Sequence, residues 1–353
     1  MVLEHLFPEV WLEKKASYAF IIAVVYSVIG ISAARLLFGA NSGIVSVMFT
    51  SLLILPYLQK LFAKEEKDEE KQRIMSLKSF ASIKYFFKQH RAVKVYFAIF
   101  FGIYLTYMFF SFILPMAGFN TFDILKEQLF VDPALRGREA GLMGNAFDSG
   151  TFFSIFTNNW WVLLACFLIA IIIGDGAIFF IAWNASSWGV LFGYRALTAG
   201  INGGVSPWYY LLLLFLITLP HVILEGGAYI LAAISGNVIS DEIIKERCDI
   251  KNFIFYLMGG VALMFMIKLA YNYLLGMTDP VIFDIISVIS ITAMVHVIIR
   301  LFQQPWLQKV FKDNYYLFII AIIIFIIGAL VETLVLDNSI TLNNIYALSM
   351  AYA

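Results

Sequence analysis

The sequence predicts an all-α, polytopic membrane protein of about eight or nine transmembrane spans. Three observations predict it. Of the 353 residues, 61% are hydrophobic and only 14% are charged, where a soluble domain carries about a quarter charged residues. Several apolar runs reach the roughly 20 residues that a helix needs to cross a bilayer. Those runs are continuously apolar and lack the two-residue alternation of a membrane β-barrel. The 24 basic and 24 acidic side chains cancel, so bulk charge offers nothing to nucleic acid. Cys166 and Cys248 lie in a span and a loop, and form neither a disulfide framework nor a zinc motif.

Residues 1–17 are mixed in character, with Phe7 and Trp11 placed as headgroup-level anchors. Glu4, Glu9 and Glu13 replace the basic start of a cleavable signal peptide. The first span covers about 18–38 and the second about 44–59, so residues 1–59 read as a two-span hairpin. Residues 60–94 then carry ten Lys or Arg against five acids. The second half of that segment spaces Ile74, Leu77, Phe80 and Phe87 as an interfacial helix does. This is a charged cytoplasmic linker ending on the membrane surface.

The third span covers about 95–115. A polar-aromatic loop follows over 116–157. The fourth span opens on Asn158-Asn159, read as a helix cap, and on the aromatic anchors Trp160 and Trp161. It runs to about Trp183 and encloses Asp175 between Gly174 and Gly176. Residues 184–206 are weakly apolar, Gly-rich and carry Arg195. They read as one broken or re-entrant stretch, or else as a poorly hydrophobic crossing. Further spans are expected over 207–236, 253–275, 280–302 and 315–336. Basic residues in 60–94, in 245–251 and in 300–312 mark the inner side. That bias prefers nine crossings, with the N-terminus cytoplasmic and the C-terminus outside.

The order of motifs carries a family likeness. Asn158-Asn159 precedes a span, Asn184 opens a weak span through Gly189 and Gly193, and Pro220-His221 with Glu225 lies in the next. This resembles the stage II sporulation protein M family of bacteria and archaea over about residues 95–275. Val222 and Ala185 stand where that family usually has glycine. The resemblance divides the chain into the 1–59 hairpin, the 60–94 linker, the 95–275 core and a two-span extension over 276–353. It implies an integral membrane protein of the cell membrane, acting with protein partners in an envelope or membrane-remodelling complex.

The candidate site centres on Pro220–Glu225. His221 and Glu225 lie one helical turn apart on one face of a span. Ionisable groups at that depth are costly and usually face a protein interior or a watery cavity. Asp175, Asn184 and Arg195 complete the candidate polar core, with Asp175 and Arg195 expected to neutralise one another. Lys268, Asp284, His296 and Glu332 are further ionisable groups near span ends, and His296 is the one placed to meet His221 and Glu225.

Three functions compete. The first is a non-catalytic membrane scaffold, with the polar groups as packing locks. The second is an intramembrane hydrolase using Glu225 as general base with His221 and His296. The third is a transporter or channel with a polar cavity at 184–206. Two ligands one turn apart fall short of a metal site, and no His-Glu-x-x-His string is present. The sequence therefore predicts neither a metal nor a cofactor.

Overall fold

The computed structural model describes residues 16–38, 42–73, 90–116, 149–245 and 305–350. Among them the chain is helical apart from a short turn at 204–206 and Ser339. The helices are α1 (Ala16–Phe38), α2 (Ser42–Arg73), α3 (His90–Met116), α4 (Ser149–Ile173), α5 (Ile178–Gly203), α6 (Pro207–Lys245), α7 (Pro305–Asn338) and α8 (Ile340–Met350). A 3₁₀ turn, Gly174–Ala177, joins α4 to α5. Among the described residues seven helices, α1 to α7, are long and apolar enough to cross a membrane. The spans expected over 253–275 and 280–302 lie outside the described residues, as do His296, Lys268 and Asp284.

Two expectations are corrected. Over 184–203 the stretch is neither broken nor re-entrant, because α5 runs unbroken from Ile178 to Gly203, and 204–206 form the turn before α6. The breaks flank it instead. Gly174 adopts φ +63° at one end and Gly204 φ +62° at the other, a left-handed conformation that glycine takes without strain. The amide of Gly204 closes onto the carbonyl of Gly200, and Pro207 then starts α6 at a position where its missing N–H costs nothing. The fourth span is likewise shorter than expected at its far end: α4 stops at Ile173, so Asp175 sits in the turn. It also starts earlier, at Ser149, which puts Asn158 and Asn159 inside the helix.

The weak hydrophobicity of α5 has a packing cause. Its glycines let α3 come close: a methyl on Gly189 would strike the Tyr104 carbonyl, and one on Gly193 would strike Ser111 and Met108. Small residues of this kind are how membrane helices approach in the absence of a hydrophobic force between them. The pairs Phe100–Trp188 and Tyr104–Phe192 flank the same seam. The order of these contacts makes α3 and α5 parallel.

α5 and α6 form an antiparallel hairpin, with Gly200 on Pro207, Phe192 on His221 and Trp188 on Tyr229. α4 runs parallel to α6, because Gly236 packs on the Phe167 carbonyl and Ala170 while Asn159 reaches Glu225. α7 runs antiparallel to both: Phe325 meets Phe156 and Trp160, and Phe318 stacks on Phe167. The Lys245 end of α6 and the Pro305 end of α7 therefore share a face.

α2 packs against α3 through Ser46, Thr50 and Tyr107, and α1 packs against it where Ala23 and Phe20 meet Gly102. One buried cluster runs from Ala19 in α1 to Phe325 in α7. A smaller one closes one end of the bundle with Leu342 and Ile345 of α8.

Candidate functional site

α6 carries a polar face through the bundle. Thr218, His221, Glu225, Tyr229, Asn237 and Ser240 recur at helical spacing, and each is buried. Pro220 leaves the helix unbroken. Among the described residues Glu225 is the most buried carboxylate, 1% exposed, with His221 at 5%.

Glu225 lies where three helices meet. Asn159 Nδ2 of α4 donates to Glu225 Oε2 at 2.9 Å. On α7 the neighbour is a glycine, and a methyl on Gly328 would lie 2.8 Å from Glu225 Cγ. The carboxylate thus occupies volume that any larger residue at 328 would take. The rings of His221 and Phe192 of α5 meet at a steep angle, with centroids 6.4 Å apart. The antiparallel pairing of α6 with α7 also brings Glu332, one turn beyond Gly328, to the level of His221.

Asp175 does not join this group. It accepts from Asn237 Nδ2 at 2.8 Å, and Asn237 lies about 18 Å along α6 from Glu225 at ~1.5 Å per residue. The two polar pairs are reciprocal. At one level the amide is on α4 and the carboxylate on α6; at the other the carboxylate is in the turn that follows α4 and the amide on α6.

The expected pairing of Asp175 with Arg195 is corrected by the length of α5. Arg195 stands about 25 Å along that helix from its start, again at ~1.5 Å per residue. Its guanidinium instead lies 4.0 Å from the ring centre of Tyr346 in α8, and the residue is 8% exposed. Asn184 stays on its own helix, donating to the Phe180 carbonyl at 2.8 Å.

The expected anchors part company. Trp160 stacks on Phe156 and leans on Phe325, while Trp161 is 38% exposed. A groove of about 280 Å³ opens on the outer face of α3 and α6, lined by Leu105, Met108, Trp208, Leu211, Leu212 and Phe215. It is apolar and separate from the polar face.

Sequence reasoning found His221, Glu225, Asp175 and Arg195 but missed their partners. Asn237 was legible as a polar residue near the end of the same apolar run as Glu225. Asn159 was masked by its resemblance to a helix cap, and Tyr346 by its place in a short terminal segment. Among the described residues no three His, Cys, Asp or Glu side chains are grouped to hold a metal ion. Compared with known protein families, with curated proteins and with solved structures, the chain matches none.

Proposed function

We propose that this protein is a non-catalytic integral membrane scaffold, an assembly component of an envelope or membrane-remodelling complex. The observation that carries this reading is the pair of reciprocal polar contacts, Asn159–Glu225 and Asn237–Asp175. Side chains committed to interhelical hydrogen bonds fix the register of α4 against α6, which suits a frame that presents surfaces to partners. The sporulation protein M resemblance over about residues 95–275 supports the same reading, with the protein partners it implies. The hydrolase alternative draws on His221 and Glu225, whose neighbours here are Asn159, Gly328 and Phe192. The transport alternative was framed on a broken helix at 184–206, and α5 is continuous there.

The test is isolation of the tagged chain from native membranes, with the mass of the assembly measured directly. The scaffold reading expects a defined hetero-complex of fixed stoichiometry, weakened in parallel by Asn159→Ala and Glu225→Ala. A chain that runs as a single species and supports solute flux in liposomes overturns it.

A further inference from the structure

We infer that His221, Glu225 and Glu332 form a proton-binding site at the junction of α4, α6 and α7, a function independent of the scaffold reading. The inference begins with a count of charges. Glu225 and His221 share one face of α6, and the pairing of Gly328 with Glu225 sets Glu332 at the level of His221. All three lie within helices long and apolar enough to span the membrane.

The charged and titratable groups around them come from each packed element. α7 supplies Glu332. α5 supplies Arg195, about one turn nearer the Pro207 end and set against Tyr346 of α8. α3 supplies the phenol Tyr104, α6 itself Tyr229, and α4 the neutral amide of Asn159. Two carboxylates give two negative charges, and Arg195 is fixed at one positive. The group reaches neutrality only when one further proton is held among the imidazole and the two carboxyls. Net charge in a span interior is expensive, so the protein holds that proton, and hydronium from the adjoining water supplies it, leaving water behind.

Burial is graded toward this point. Glu332 is partly buried and lies six residues from the end of α7 at Asn338. His221 is 5% and Glu225 1% exposed. The proton enters from the face that carries α8, by way of Glu332, and is kept at the deeper pair. Asn159 can serve both forms of Glu225: its N–H₂ donates to the carboxylate and its carbonyl accepts from the acid.

The test compares the intact chain in lipid nanodiscs with the variant His221→Gln/Glu225→Gln/Glu332→Gln. Proton uptake is followed by dye after a pH step, and the carboxyl carbonyl stretch by infrared difference spectroscopy. The expected result is one more proton taken up by the native chain than by the triple variant, with a single midpoint. In His221→Gln the same proton moves to a carboxyl and its carbonyl band appears. That band is removed when Glu225→Gln is added.

A difference of zero, or independent uptake by three groups at ordinary solution values, overturns the inference. Glutamine keeps the shape of both glutamates and leaves a neutral hydrogen-bonding group at 221. Should the triple variant not fold, Glu225→Gln alone must still alter the midpoint or remove a band, and no change in either also overturns the inference.

Discussion

At the scale of single residues, the site is governed by what lies against each polar side chain. A hydrogen bond between membrane helices contributes about 1 kcal/mol or less, but a buried acceptor stripped of its donor costs ~1–3 kcal/mol. Asn159→Ala removes the donor and leaves Glu225 in place, so it is expected to destabilise the bundle by about 2 kcal/mol. Glu225→Gln keeps an acceptor for the same amide and is expected to cost under about 1 kcal/mol. Reversible unfolding in mixed micelles reads both, and equal losses would show that the Asn159 contact carries no weight. Gly328 sets a steric limit on the same spot. Gly328→Leu forces Glu225 out of its seat, and overpacking of this kind typically costs ~1–3 kcal/mol; a variant as stable as the parent would place Glu225 elsewhere.

At the scale of elements, the sequence made the spans legible and their junctions less so. Apolar length alone placed α1, α2, α3, α6 and α7 within a few residues of their membrane-spanning segments, and misplaced both ends of α4 and the start of α5. The Gly174-Asp175-Gly176 run was read as part of a span, because two glycines in an apolar run look the same whether they aid packing or turn the chain. Only the left-handed φ of Gly174 separates the two.

The reading of 184–206 failed for a related reason. Small residues lower hydrophobicity, yet in α5 they mark the surface nearest α3 rather than a break. Gly193→Leu should therefore separate α3 from α5, at a cost of ~1–3 kcal/mol. The same change at the open position Gly204 would meet no neighbour but would strain its backbone.

α8 was not foreseen at all. Ser339 accepts at Oγ from the Leu342 amide at 3.2 Å and starts the helix. Asn202 then ties it to α5 by donating to the Leu348 carbonyl at 2.8 Å. A desolvated cation–π contact contributes about 2 kcal/mol, so Tyr346→Ala should lower the melting temperature clearly. Tyr346→Phe should lower it far less, since it keeps the ring under Arg195. Equal effects would assign the contribution to the hydroxyl.

At the scale of the whole molecule, the candidate site depends on helix directions that composition does not encode. Orientation bias from basic loops suggested alternating crossings, but it said nothing about which helices touch. That α4 and α6 lie side by side and parallel, with α5 crossing between them in sequence, emerges only from packing. Crosslinking checks it. With Cys166 and Cys248 replaced by alanine, Ala170→Cys and Gly236→Cys should form a disulfide. A Cβ on Gly236 falls 2.7 Å from that of Ala170, and the backbones need ease by only about 1 Å to reach the ~3.8 Å of a disulfide. Ala170→Cys with Val222→Cys should not, the two being about 21 Å apart along α6. Equal crosslinking of both pairs would contradict the parallel register.

The reciprocal pairs between α4 and α6 bear on how the chain is made. The ribosome delivers Asn159 and Asp175 well before Glu225 and Asn237 exist. α4 and the weakly apolar α5 must therefore enter the bilayer with half of each pair missing. Such segments partition poorly when released one at a time. The insertion machinery should hold α4 and α5 at its lateral opening until α6 arrives, then release the three together. Biogenesis of this protein would then proceed in a block, with synthesis of α6 as the event that lets the earlier helices leave for the lipid.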